Sequence, residues 1–275
     1  MTSLKITSRS NERIKSLKRF YHKKHRDHEG RFLAEGLKVV EEALEAGWPI
    51  ITLLYATELT GRPRGAVILE AARASGAELL ETADYVLSDL ADTKTPQGLV
   101  ALIAKPQYEL DLLLRGRGIP LVLVLDGIQD PGNLGTIIRT ADACGLLGVI
   151  TLEGTVDLFH PKVVRASAGA LFHLPTFGDV SAARAVEFLV RAGFQTFMAD
   201  PDGSQSLYEC DFTRPTALFV GNESRGCGEF LRKAADRVVF IPMPGQAESL
   251  NVGVAASLFV YEAVRQRLKS SLSLP

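Results

Sequence analysis

Cysteine is scarce in this sequence: Cys144, Cys210 and Cys227 are the only three, widely spaced and odd in number. No CxxC pair occurs, which argues against a disulfide framework and against a cysteine-rich zinc site. Long apolar runs are missing too, and none approaches the ~20 residues a membrane-spanning helix needs. The N-terminal stretch MTSLKITSRSNERIKSLKRF has no apolar centre of the kind a secretory signal carries. These absences lead us to expect a reduced, cytoplasmic enzyme without metal or membrane. Several familiar motifs are also lacking: there is no GxxxxGK[ST], no GxGxxG behind a strand and no GxSxG elbow. Nor is there an excess of one charge, since 31 Lys plus Arg face 32 Asp plus Glu. Bulk charge therefore does not announce a nucleic-acid partner.

The charge distribution is more informative than the total. Arg13, Lys15, Lys18, Arg19, Lys23, Lys24, Arg26 and Arg31 crowd into one short stretch, with only Glu12, Asp27 and Glu29 among them. Apolar residues Ile14, Leu17 and Tyr21 recur there at helical spacing. His22, His25 and His28 follow at intervals of three, but no second His or Cys cluster completes a metal site. His160 and His173 stand alone and read as core or surface residues. Helices over 36–46 and 66–75, and strands over 50–55 and 98–104, outline a small α/β domain. The chain has 275 residues, 46% of them hydrophobic, which suits two domains. Residues 1–105 form the first in this reading, 106–120 a linker, and 121–275 the second.

The second part alternates continuous apolar runs with helical patterns, implying a mostly parallel sheet covered by helices. Ligands bind such sheets beyond the carboxyl ends of strands, and three strand ends carry unusual residues. The first is DGIQDPGNLGTIIRTADACG, with Asn133 at an expected helix N-cap and Arg139 on the helix. Next comes LFVGNESRGCGE, where a strand runs directly into Gly221, Asn222 and Glu223. The last is IPMPGQAESLNVGVAASLFVYEA, where Ile241, Pro242 and Met243 end a strand and Ser249-Leu250-Asn251 opens an apolar helix. Each alone is compatible with ordinary turns and caps. Asn251 stands out, because a buried amide must find partners.

Taken in order and spacing, N-x-G-x-x-x-R-T-A, G-N-E-x-x-G, then I-P-M and S-L-N-V resemble the SpoU (TrmH-like) family of RNA ribose 2′-O-methyltransferases of the SPOUT superfamily. The resemblance covers about residues 121–269. RFLAEGLKVVEEAL and KTPQGLVAL resemble that family's substrate-binding domain. Family members often carry Gly where Ser224 stands and Ser where Gly253 stands. The resemblance implies an α/β fold with a C-terminal trefoil knot, preceded by a small α/β RNA-binding domain. It implies S-adenosyl-L-methionine as cofactor, held by Gly221, Ile241 and Leu250, with Asn222 and Met243 beside them. Arg139, Asn133, Glu223, Ser249 and Asn251 take the active-site positions. A homodimer is implied, with the first motif near the subunit interface.

The chemistry this resemblance implies is methylation of a ribose 2′-hydroxyl in RNA, with large-subunit ribosomal RNA as the expected substrate. A guanidinium is a poor base, so stabilising an oxyanion or gripping a phosphate suits Arg139 better. The eight N-terminal cations would contact phosphates without reading sequence, and Phe20, Tyr21 and Phe32 would stack on unpaired bases. Two alternatives stay open: a transfer RNA 2′-O-methyltransferase, and a non-catalytic RNA-binding protein of ribosome assembly.

Overall fold

The computed structural model describes residues 5–90, 96–116 and 118–272, the side chains of 270–272 excepted. Lys94 and Thr95 of the KTPQGLVAL segment lie outside the described residues. The chain divides into two compact units, residues 1–107 with Phe159–Phe172, and Tyr108–Leu158 with the chain from His173 onward.

The first unit opens with α1 (Glu12–Lys18) and α2 (Lys23–Glu29). Asn11 caps α1 by accepting from the Arg13 amide, and Gly30 ends α2 in the left-handed conformation at φ 62°. Then come β1 (Arg31–Glu35), α3 (Leu37–Glu45), β2 (Ile50–Ala56), α4 (Pro63–Ala74), β3 (Glu78–Thr82), α5 (Asp84–Leu90) and β4 (Leu99–Ala104). The four strands lie in the order β1-β4-β2-β3, antiparallel except for the β2–β3 pair. β1 and β3 escaped the sequence reading. The half-exposed ELLET of β3 gives weak periodicity, and β1 runs without a break into the helical segment behind it.

Corrections to the expected RNA surface follow from packing. Phe20 and Phe32 are buried, so neither offers a face to a base. Phe32 instead contacts Phe159 with ring centroids 4.7 Å apart, and meets Trp48 and Phe172 as well. Tyr21 is half-buried and its hydroxyl donates to the Leu90 carbonyl. Arg26, expected among the RNA-facing cations, is 2% exposed and donates to the Phe20 carbonyl at 2.7 Å. A guanidinium held inside by a carbonyl is not available to phosphate.

The second unit is built on β5 (Leu121–Asp126), α6 (Pro131–Ala143), β6 (Gly148–Leu152), β7 (Thr176–Val180), α8 (Ala182–Arg191), β8 (Gln195–Ala199), β9 (Gln205–Ser206), β10 (Thr216–Gly221), α9 (Glu229–Ala234), β11 (Arg237–Phe240) and α10 (Val252–Leu272). Between β6 and β7 the chain contributes the short helix α7 (Pro161–Ala166) to the first unit. The seven strands form one sheet in the order β7-β6-β5-β10-β8-β11-β9, and every pair is parallel. β5 and β10 are its centre, buried over nearly every residue, as fully covered parallel strands are. The expected linker is not one. Leu110 and Leu113 are buried in this unit's core beside Val122 and Ile150, and Tyr108 and Leu112 pack against it.

Candidate active site

β5 and β10 pair directly, Leu125 opposite Val220 and Asp126 opposite Gly221. From β5 the chain turns to β6 on one side; from β10 it passes through α9 to β11 on the other. The two carboxyl ends therefore flank a topological switch point, the place where open parallel sheets bind ligands.

A hydrogen-bonded chain of side chains spans this point. Asp130, not Asn133, caps α6, accepting from the Asn133 amide at 2.8 Å. Asn133 sits in the first helical turn, which leaves its side chain free to reach outward. Its Nδ2 donates to Glu223 Oε1 at 2.9 Å, and its Oδ1 accepts from Asn251 Nδ2 at 3.0 Å. Asn251 Oδ1 accepts in turn from the amides of Gly253 at 2.9 Å and Val254 at 3.3 Å, the first turn of α10. Asn251 thus caps α10, and it is exposed rather than buried. Each amide has one orientation that satisfies both neighbours. The three motifs that are weak apart become one continuous network.

Beside it lies a cavity of about 510 Å³, bounded by the loops after β8, β10 and β11 and by the start of α10. That size suits a small-molecule ligand. Gly221, Asn222, Ile241, Met243 and Leu250, the five expected cofactor contacts, all line it, as do Glu223 and Ser249. Ile241 and Met243 do so from a loop, since β11 ends at Phe240 and not at Met243. The Asn222 side chain holds the loop itself: its Nδ2 donates to the Gly127 carbonyl at 2.8 Å, and its Oδ1 accepts from the Ser224 amide at 3.0 Å. Asn133, Asn251 and Arg139 are not on the cavity wall. Arg139 is exposed on α6, six residues beyond Asn133.

Asp200, Asp202 and Arg232, which belong to none of the three sequence motifs, also line the cavity. Asp200 Oδ1 accepts from the Asp202 amide at 2.9 Å, and its other oxygen pairs with Arg232 of α9. The signal was present in MADPDG, a turn sequence closing an apolar strand like the DG that follows β5. Behind the wall, Cys227 is buried and its thiol is pushed up to about 12, by burial first and then by the charges of Asp126 and Asp200. A thiol raised so far stays neutral at ordinary pH and is a poor nucleophile. Iodoacetamide at pH 8 is expected to leave Cys227 unmodified in the native chain and to label it after unfolding, read by mass spectrometry. Native labelling would mean that the loop opens.

In the first unit, several of the expected RNA-facing cations have carboxylate partners: Arg13 pairs with Glu78, Lys15 with Glu12, Lys18 with Asp89 and Arg19 with Glu29. These pairs are at least partly exposed and contribute little to stability, so these cations can exchange partners for phosphate. Lys23 and Lys24 are exposed and Arg31 half-buried. Among the described residues no group of three or more His, Cys, Asp or Glu side chains is placed to hold a metal ion, and no helix is long and apolar enough to cross a membrane.

Residues 120–261 match the model of the SpoU rRNA Methylase family, and residues 11–101 match the MRM3-like substrate binding domain. A 23S rRNA (uridine(2479)-2′-O)-methyltransferase of Streptomyces viridochromogenes is 36% identical over 87% of this chain and 84% of its own length. A 23S rRNA (guanosine(2553)-2′-O)-methyltransferase of Bacillus subtilis is 35% identical over 93% of this chain and 97% of its own. Among solved structures, the AdoMet-bound rRNA methyltransferase of Sinorhizobium meliloti superposes with a TM-score of 0.86 at 34% identity, covering 95% of this chain and 97% of that one. With the family model spanning residues 120–261 and relatives above 30% identity covering most of the chain, the protein belongs to the SpoU rRNA methylase family.

Proposed function

We propose that this protein is an S-adenosyl-L-methionine-dependent RNA ribose 2′-O-methyltransferase acting on large-subunit ribosomal RNA. The observation that carries the reading is the 510 Å³ cavity at the strand ends, with the Asn133–Glu223–Asn251 network beside it. The donor set fits the cofactor. Val220, Val239, Ile241, Met243, Leu250 and Phe259 offer an apolar wall for a purine. Four carboxylates, Asp200, Asp202, Glu223 and Glu248, outnumber the guanidiniums of Arg225 and Arg232, which suits a ligand bearing a sulfonium and an ammonium.

When bound, S-adenosylmethionine supplies a methyl electrophile on its sulfonium. The work of the chain is to position a ribose 2′-hydroxyl in line with it. Ser249 and Asn251 orient the ribose from the start of α10. Glu223, held by Asn133, orders the loop that forms the cofactor wall. Arg139 stabilises the charge that develops on the attacking oxygen, or grips the neighbouring phosphate. Its position outside the cavity favours a homodimer in which a second copy delivers it. An exposed apolar stripe on α10 supports that assembly: Val254, Leu258 and Tyr261 are 48%, 41% and 59% exposed at helical spacing. Leu258→Glu is expected to convert a dimer to a monomer in sedimentation velocity; a wild-type chain that sediments as a monomer would remove the dimer from the mechanism.

A C-terminal knot belongs to the same reading, supported by the loop after β11 that returns Ile241, Met243 and Leu250 to the wall made by the loop after β10. Residues 1–105 serve as the RNA substrate-binding domain, and the working compartment is the cytoplasm, where ribosomal RNA is. The test is transfer of labelled methyl groups to unmodified 23S rRNA, with ribose methylation mapped by nucleotide. Transfer should be lost in Arg139→Ala at unchanged melting temperature. An inert wild-type chain that still binds the RNA would favour the non-catalytic alternative.

A further inference from the structure

The two N-terminal segments that resemble the substrate-binding domain meet in the folded chain. Gln97 Oε1 accepts from the Leu37 amide at 2.9 Å, and the Gly36 amide donates to the Leu99 carbonyl at 3.1 Å. Gly36 has φ 106°, and a Cβ there would come within 3.2 Å of Gln97 Oε1. Beside this junction is a second cavity, of about 160 Å³, far from the strand ends of the parallel sheet in sequence and confined to the first unit. It is well below the ~300–1,000 Å³ of sites for whole cofactors, so it takes a fragment the size of one heterocycle.

Its walls suit a flat, edge-polar molecule. Ala56, Leu59 and Leu87 supply apolar surface. Asp84, Ser88 and Gln97 line it with polar groups, and so does the Glu58–Arg62 pair. With Oε1 already committed to Leu37, Gln97 has its Nε2 left as a donor. The Asp84 carboxylate accepts from no side chain among the described residues, whereas Glu58 is engaged with Arg62 at 3.3 Å. One acceptor carboxylate and one amide donor in a base-sized slot match the Watson–Crick edge of guanine. Its N1–H and N2–H lie side by side for a carboxylate, next to an O6 that accepts. Adenine, cytosine and uracil each lack that pair of adjacent donors.

We propose that this cavity receives one unpaired guanine of the substrate RNA, with Asp84 taking N1–H and N2–H and Gln97 Nε2 donating to O6. The proposal rests on the reading of RNA as substrate. Single-stranded RNA is read in this way, by hydrogen bonds to splayed-out bases, while cations elsewhere on the chain add affinity without sequence preference.

The test measures fluorescence anisotropy of the full chain with 5′-labelled RNA hexamers at fixed salt: UUUGUU, its inosine, adenine and cytosine counterparts, and all-uracil. The guanine hexamer should bind about tenfold tighter than all-uracil, the discrimination of one good bidentate contact, and inosine should lose most of that gain. Asp84→Asn should abolish the preference while leaving the all-uracil affinity unchanged. Gln97→Glu, which keeps an acceptor for Leu37 and removes the donor, should do the same. No base preference, a preference for adenine or cytosine, or a guanine preference that survives both variants would overturn the proposal. Methyl transfer to 23S rRNA by the same preparation separates the two questions. Transfer without guanine preference overturns the pocket and leaves the enzyme, and guanine preference without transfer does the reverse.

Discussion

Gly221→Ala is expected to raise the dissociation constant for S-adenosylhomocysteine at least a hundredfold and to stop methyl transfer. Gly221 ends β10, and a Cβ built there would sit 2.1 Å from the Gly226 carbonyl carbon, 2.2 Å from the Cys227 nitrogen and 2.5 Å from the Gly226 oxygen. All three atoms are backbone, so no rotamer relieves the clash. Asn222 and Gly226 exchange backbone hydrogen bonds at 3.1 and 2.9 Å, which makes the turn between them rigid. One methyl must therefore displace the whole turn, moving Glu223 away from Asn133 and the cavity wall with it. Overpacking of this kind costs about 1–3 kcal/mol of stability, which a folded chain can survive. A hundredfold loss of affinity is about 3 kcal/mol. Titration calorimetry with S-adenosylhomocysteine reads the first effect and thermal melting the second. Wild-type affinity in a folded Gly221→Ala chain would show that the turn does not shape the cavity.

A fragment of residues 1–107 is expected not to fold on its own. Its fold in the full chain depends on Phe159–Phe172, a segment contributed from within the second half of the sequence. Phe159 and Phe172 pack on Phe32 and Trp48, and Trp48 Nε1 donates to the Phe172 carbonyl at 3.1 Å. Truncating one buried Phe costs about 3–5 kcal/mol. Losing two approaches the ~5–15 kcal/mol that holds a domain together. Trp48 is the single tryptophan and is 7% exposed, so it reports the loss directly. The fragment should show red-shifted emission and no cooperative melting, and fusing residues 159–172 to its end through a flexible linker should restore both. Cooperative melting of the bare fragment would mean that the remaining core suffices.

Much of this molecule is legible in its sequence. Buried strands such as LVLVLD and TALFVG declare themselves because a parallel strand covered on both faces must be apolar throughout. The order and spacing of the Asn133, Gly221–Glu223 and Ser249–Asn251 segments carry the family. Other features depend on distance in space rather than in sequence. Asn133, Glu223 and Asn251 are bonded across 90 and 118 residues, and no local pattern says which amide accepts from which. Asp200 and Arg232 read as an ordinary turn and an ordinary helix cation until the sheet order brings β8 beside β11. Arg26 and Phe32 look like surface for RNA because charge and aromaticity are local properties, whereas burial is decided by what packs over them. The sequence by itself determined the alternation of strands and helices, the three motifs and the family they belong to. Tertiary structure alone decided that Arg26 is inside, that Arg139 stands off the cavity and that residues 159–172 complete the first unit. Each of these depends on contacts between segments far apart in the chain, and such contacts leave no periodic trace in any one of them.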